Sequence, residues 1–161
     1  MSATLPSAPR LIHATCISLA GYGVMLLGPS RSGKSDLAYR LMCGADAARL
    51  ICDDQTLVTV EDGILMARAP ENLRGLIELR GLGLLAVPCM TASALHLAVR
   101  LVPRDDVPRI AEPAHFSLCG IDLPLIALHA FDATCGLKIS VAVRTLPDQG
   151  FPDDDGIMRQ P

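Results

Sequence analysis

The residues best suited to chemistry lie in one octapeptide, Gly28-Pro29-Ser30-Arg31-Ser32-Gly33-Lys34-Ser35. Two glycines there are separated by four residues, and the second runs directly into Lys-Ser. This spacing is the phosphate-cradling pattern. A Gly-rich turn entering a helix aims several backbone N–H groups into one concavity, and the helix dipole adds positive potential. Lys34 is placed to meet terminal phosphates as a point charge, and the Ser35 hydroxyl to hold a Mg²⁺ that bridges them. The chain has only two lysines, Lys34 and Lys138, so finding one inside the motif argues against a chance Gly/Ser turn.

Two further groups carry charge in places where charge needs a reason. Asp53-Asp54 ends the short apolar run 49–52. Carboxylates at a strand end beside a phosphate loop can bind Mg²⁺ or accept a proton from an attacking hydroxyl. The alternative is a polar turn, yet adjacent acids repel one another unless a cation or donor compensates. The second group is Glu78 and Arg80, inside the apolar run 77–85 together with Gly81 and Gly83. Read as buried, that run makes ionised groups costly unless they meet a metal or phosphate; read as exposed, Glu78 and Arg80 are a surface pair and the glycines a bulge. His13 is a lone histidine in an apolar strand, a setting in which packed side chains outnumber catalysts.

The elements that must position these residues follow from periodicity. Residues 11–18 and 22–27 read as two strands joined by a tight turn at Gly21, which delivers the chain to the loop. Leu37, Ala38, Leu41 and Met42 recur at helical spacing, and Gly44 marks the helix end. Residues 56–60 and 64–67 form a hairpin about Glu61-Asp62-Gly63. Residues 72–78 read as a loop or short helix. Leu95, Leu97, Val99 and Leu101 alternate as in a half-buried strand, with His96 outward. Residues 104–113 form a loop, 123–128 a strand, and 132–146 a helix capped by Asp132 or Thr134. A loose lead-in over 1–10 and a disordered tail over 147–161 flank the domain. The result is an α/β domain spanning 11–146.

Composition narrows the classes. With 161 residues, half of them hydrophobic, one domain with a substantial core is expected. A net charge of −3 and 3% aromatics leave neither a basic face nor a stacking platform, so no nucleic acid partner is expected. The uncharged stretches 11–30 and 81–99 are interrupted by Gly, His or Pro and read as buried strands, not membrane spans. No basic segment followed by an apolar one opens the chain, so no secretory signal is expected. The six cysteines form no CxxC pair or zinc spacing and read as core residues in a reducing cytoplasm.

The order of these features resembles the catalytic domain of HPr kinase/phosphorylase over roughly residues 10–146. A phosphate loop, an Asp-Asp pair and a Glu-Ile-Arg-Gly-Leu-Gly-type signature are matched by residues 28–35, by Asp53-Asp54, and by Glu78-Leu79-Arg80-Gly81-Leu82-Gly83. The resemblance implies a single P-loop kinase domain with a mixed, partly antiparallel sheet flanked by helices. It implies ATP and Mg²⁺ as cofactors and a serine of HPr or an HPr-like phosphocarrier as acceptor. It further implies that Lys34 contacts the phosphates and that Ser35 and Glu78 bind Mg²⁺. One of Asp53 and Asp54 is then the general base, His13 supports that site, and Arg109 acts on the transferred phosphoryl group.

Departures from the family pattern accompany these matches. Longer members carry an additional N-terminal domain, and this chain resembles the short form found in alphaproteobacteria. The Pro-Val-Arg-Pro-Gly-Arg-like stretch of efficient phosphorylases is replaced by Leu128-His129-Ala130-Phe131-Asp132-Ala133, which speaks against phosphorolysis. The family's hexamer is the implied homo-oligomer, although its extended C-terminal helical region has no counterpart. Competing expectations are a small-molecule kinase or carboxykinase-like enzyme, and a nucleotide-sensing module without turnover. A guanine-nucleotide switch is disfavoured, because Asn72, the only asparagine, precedes Leu73.

Overall fold

The central strand of the molecule is the apolar run that feeds the octapeptide. The structure, a computed structural model, describes residues 7–158. Strand β3 (Tyr22–Leu27) sends Val24 and Leu26 to one face and Met25 and Leu27 to the other, as the two-residue side-chain period requires. Both faces are covered, so a run without polar alternation is stable there. Strands β1 (Arg10–His13) and β2 (Thr15–Leu19) precede it, and helix α1 (Lys34–Met42) follows the loop. The single strand expected over 11–18 is therefore two, which break at Ala14 and pair with different neighbours.

The remaining strands are β4 (Arg49–Cys52), β5 (Gln55–Glu61), β6 (Ile64–Arg68), β7 (Leu76–Leu79), β8 (Gly83–Ala86), β9 (Ser93–Leu101), β10 (His115–Leu118) and β11 (Ile121–Leu128). Helix α2 (Cys135–Gln149) closes the order. The main sheet runs β1-β5-β6-β9-β3-β2-β4, with β11 on β9 and β10 on β11. Strands β3, β9 and β11 are mutually parallel where they pair, and the other pairings are antiparallel. Strand β9 meets β6 through Ser93 and Ala94 and meets β3 further on, so the sheet curls about it. Helices α1 and α2 cover one face through Leu37, Leu41, Ile139 and Val143. Residues of β5, β6, β10 and β11 cover the other, where Val58, Leu65 and Leu118 pack on Met25 and Ala98.

Several expectations change. Residues 81–86, read as part of a buried run, are exposed: β7 and β8 form a separate two-stranded hairpin, with Leu82 88% and Leu84 71% accessible. Glu78 and Arg80 therefore do not sit among buried neighbours. His96 is half-buried, not outward, and its Nδ1 accepts the Gly23 N–H at 3.0 Å. Residues 71–73 make a single 3-10 turn before β7, and 104–106 another after β9.

The ends of the domain also move. Helix α2 continues past Pro147 to Gln149, and Phe151 packs on the helical core, so the segment assigned to a disordered tail begins as structure. Residues 159–161 of that segment, and 1–6 of the expected lead-in, lie outside the described residues. Of the rest of the lead-in, Ser7 is tied to β5 by its N–H to the Val60 carbonyl at 3.2 Å, and Arg10 opens β1. Among the described residues no helix is long and apolar enough to cross a membrane.

Gly23 allows β3 and β9 to approach as closely as they do. A Cβ there would lie 2.0 Å from the Ala94 carbonyl oxygen, a backbone atom that cannot move aside. Gly23→Ala should lower stability by about 3 kcal/mol or more. Gly63→Ala, which meets no atom within 4 Å and carries only its φ of +77°, should cost about 1–2 kcal/mol. Denaturant midpoints compare the two; equal losses would contradict the close strand approach.

Candidate active site

The site is assembled where β3, β4 and β7 end. Leaving β3, the chain turns through Gly28 and Arg31 (φ +69°) and enters α1 from Gly33 at φ +94°. A Cβ on Gly28 would lie 2.5 Å from the Ser32 hydroxyl, and one on Gly33 would lie 2.8 Å from the Ala130 Cβ. The loop is closed down to a size that only glycine permits. Inside it, Lys34 is 6% exposed and donates from Nζ to the carbonyls of Gly28 at 2.8 Å and Pro29 at 3.0 Å. Burial lowers the pKa of its ammonium group, and the nearby Asp54 and Asp53 oppose that shift. The Ser32 hydroxyl is a buried polar atom without a hydrogen-bond partner among the described residues.

Asp53 is the junction of the site. Its Oδ1 accepts the Ser35 hydroxyl at 2.6 Å and the Thr15 hydroxyl at 3.0 Å, and its Oδ2 accepts the Glu78 N–H at 3.0 Å. One buried carboxylate thereby joins α1, β2 and β7. Asp54, next in sequence, takes φ +65° and turns the other way. Its N–H donates to the Thr15 hydroxyl at 3.2 Å, and its carboxylate meets His13 Nδ1 at 3.4 Å, with the two side chains 61% and 49% exposed. The adjacent acids are thus separated by backbone geometry, one inward and one facing solvent.

A cleft of about 650 Å³ lies above this cluster, lined by Ser30, Arg31, Lys34, Ser35, Asp54 and Glu78, with Gly33 in its wall. Of the residues singled out from sequence, those come together, Asp53 lies beneath them, and His13 touches Asp54. Arg109 does not join them. It lines a different cavity, beside β11 and α2, with Val107, Pro108 and Glu112 of the segment that follows the 3-10 turn at Arg104–Asp106. Thr15 was missed; the sequence does not set it apart from Ser18 of the same strand, and only its burial and its bond to Asp53 do so. Tyr39, Arg80, Leu82 and Phe131 also line the cleft.

The donor set is sparse. No three His, Cys, Asp or Glu side chains among the described residues form a metal group by themselves. Ser35, Asp53 and Glu78 offer a hydroxyl and two carboxylates, a set that fits Mg²⁺ when phosphate oxygens of a substrate complete the coordination. The orphaned Ser32 hydroxyl and the glycine-lined loop fit the same reading.

A glycine-lined loop entering a helix from the end of a parallel strand, with Asp54 and Glu78 of two later segments lining the cleft above it, defines a mixed α/β domain with a candidate phosphate site. The chain belongs to the family described as the HPr Serine kinase C-terminal domain, whose model matches residues 7–112. That match ends short of residue 146, where the resemblance was expected to end. HPr kinase/phosphorylase of Caldicellulosiruptor bescii is 40% identical over 82 residues, covering 50% of this chain and 26% of that protein. The Cupriavidus metallidurans protein of the same name is 34% identical over 109 residues, covering 62% of this chain and 33% of its own. The chain thus spans between a quarter and a third of the length of these relatives. The fold is like that of the HPr(Ser) kinase/phosphatase from Coxiella burnetii, with a TM-score of 0.75 at 24% identity, covering 84% of this chain and 88% of that one.

The cysteines differ in setting. Cys16, Cys52 and Cys135 are buried, whereas Cys43 is exposed and Cys89 and Cys119 are intermediate, so not all six are core residues. Burial pushes the Cys52 thiol up to about 11 and the Cys16 thiol up to about 12. Both stay protonated, and poorly nucleophilic, at neutral pH. Iodoacetamide at about pH 8 should label Cys43 and leave Cys16 and Cys52 unmodified until the protein unfolds. Native labelling of Cys52 at the rate of Cys43, read by peptide mass spectrometry, would contradict the closed floor of the site.

Proposed function

We propose that this chain is the catalytic domain of an ATP-dependent kinase that phosphorylates a serine of HPr or an HPr-like phosphocarrier. The observation that carries the reading is the split of the aspartate pair, with Asp53 bonded to Ser35 at 2.6 Å and Asp54 open to the cleft beside His13. Family membership supports the acceptor. The exposed Leu82 and Phe131 lining the cleft favour a protein acceptor over a metabolite, since apolar side chains in solvent are a contact surface for a macromolecule.

In this reading the backbone N–H groups of residues 28–35 cradle the phosphates, and Lys34, itself buried, supplies a fixed positive charge. Ser35, Asp53 and Glu78 are the residues that would hold Mg²⁺, which would supply charge neutralisation on the phosphate oxygens. Asp53, buried and fully bonded, belongs to that set and is not the base. Asp54 accepts the proton of the incoming serine hydroxyl, and His13 holds the Asp54 carboxylate in place. Arg109 has no part in the transfer. Residues 128–133 lack the arginines that the resemblance assigns to efficient phosphorylases, which favours the forward reaction.

Incubation with γ-labelled ATP, Mg²⁺ and HPr should place label on a serine of HPr. Asp54→Asn should slow transfer by about 10²–10⁴-fold while leaving nucleotide affinity within about threefold. Full activity in Asp54→Asn would remove the base assignment. Unlabelled HPr, with ATP bound but intact or with its phosphate moved to a metabolite, would overturn the reading as an HPr kinase.

A further inference from the structure

A second, mainly apolar cavity of about 600 Å³ lies away from the cleft, between the end of β11, the outer face of α2 and the segment 107–112. Its size is within the roughly 300–1,000 Å³ of sites that enclose drug-sized ligands. Leu125, Ile126, Leu128, Leu137 and Val141 give it apolar walls, and Leu137 is 69% exposed. Three cations, Arg100, Arg109 and Lys138, stand around it against one acid, Glu112, in a chain whose net charge is −3. The ion pairs among the described residues use none of the three cations. Thr134, the residue before the first turn of α2, also lines it and brings the positive end of the helix dipole to the same space.

The backbone adds a donor. The Leu125 N–H donates to the Ala114 carbonyl at 2.9 Å, away from β9, whereas the Leu128 carbonyl accepts the Val102 N–H at 2.9 Å on the β9 side. Alternation along the strand then turns the N–H of Ala127 away from β9 as well. Strand β10 has ended by that point, its last partner on β11 being Pro124. Ala127 lines the cavity, so a backbone N–H faces it with no hydrogen-bond partner among the described residues. Arg100, the register partner of Ala127 on β9, also lines the cavity.

We infer that this cavity binds a small amphipathic carboxylate, its apolar tail against α2 and β11 and its carboxylate on the Ala127 N–H among Arg100, Arg109 and Lys138. Apolar walls alone would take a neutral ligand, and cations on an open surface would take any anion. The combination selects a molecule with both parts, because charge-assisted hydrogen bonds fix the head while burial holds the tail. The site stands apart from the nucleotide reading, and neither depends on the other.

The test uses dodecanoate as probe, with dodecanol and inorganic phosphate as comparison ligands, and amide chemical shifts of the full chain as readout. Dodecanoate should bind saturably at one site and move the signals of Ala127, Leu137 and Val141. Dodecanol and phosphate should each bind at least about tenfold more weakly. Combining Arg100→Gln with Arg109→Gln, both exposed positions, should weaken dodecanoate by at least about tenfold. Ala127→Leu, which fills the cavity, should abolish the shifts. The inference fails if dodecanol binds as tightly, if both variants bind dodecanoate unchanged, if the shifts map to the β7–β8 hairpin, or if no saturable shift is seen up to millimolar probe.

Discussion

One carboxylate holds the candidate site together. Asp53 is 8% exposed, yet it accepts bonds from a helix hydroxyl, a strand hydroxyl and the backbone of a separate hairpin. A buried carboxylate without such donors would be expensive, and removing one donor would leave the rest strained around an unsatisfied oxygen. The interaction therefore fixes three segments that the main sheet does not hold in common. Hairpin β7–β8 in particular pairs with no strand of the large sheet; it is held by Ile77, buried in the helical core, and by the Glu78 N–H on Asp53 at the mouth of the cleft.

The curl of the sheet makes that junction reachable. Strands β3 and β9 are parallel and close at Gly23, while β2 lies antiparallel to β3 and carries Thr15 to the end where the octapeptide begins. Strand β4 lies antiparallel to β2 and ends at Cys52, so the Asp pair emerges opposite Thr15. On the helical side, the Asp46 carboxylate accepts Ser140 Oγ at 2.7 Å and Arg144 Nη2 at 2.6 Å, tying the segment after α1 to α2. The Arg144 guanidinium, then Ser140, holds the Asp46 carboxyl below the usual carboxylate range. The buried, bonded groups lie below the loop, and the exposed groups, His13, Asp54 and the leucines of the hairpin, lie above it.

Much of this was legible in residue order, because local chemistry dictated it. The octapeptide needed its strand and helix, Asp62-Gly63 needed its turn, and the strand 49–52 ends where the acids begin. The rest depended on tertiary placement. An apolar run such as 82–86 has the same pattern whether covered or open, and only the separate hairpin shows that it is open. The short strand His115–Leu118 was missed because its turn is Cys119-Gly120, without the Asn or Asp that marks such turns. The sequence reading bounds the helix at 146 and assigns the Pro-, Gly- and Asp-rich remainder to the tail, but Pro147 lies in the last turn of α2, where its missing N–H removes only one bond. Arg109 was attached to the site by resemblance, and the path of a loop is what takes it elsewhere.

The central claim is that Asp53 converts a glycine-lined loop into a metal-assisted nucleotide site. Calorimetric titration of ATP with and without Mg²⁺, in wild type and in Asp53→Asn shown by its denaturant midpoint to be folded, tests it most directly. Mg²⁺ should tighten ATP binding by about tenfold or more in wild type and by less than about twofold in the variant. An undiminished Mg²⁺ effect in Asp53→Asn would contradict the account.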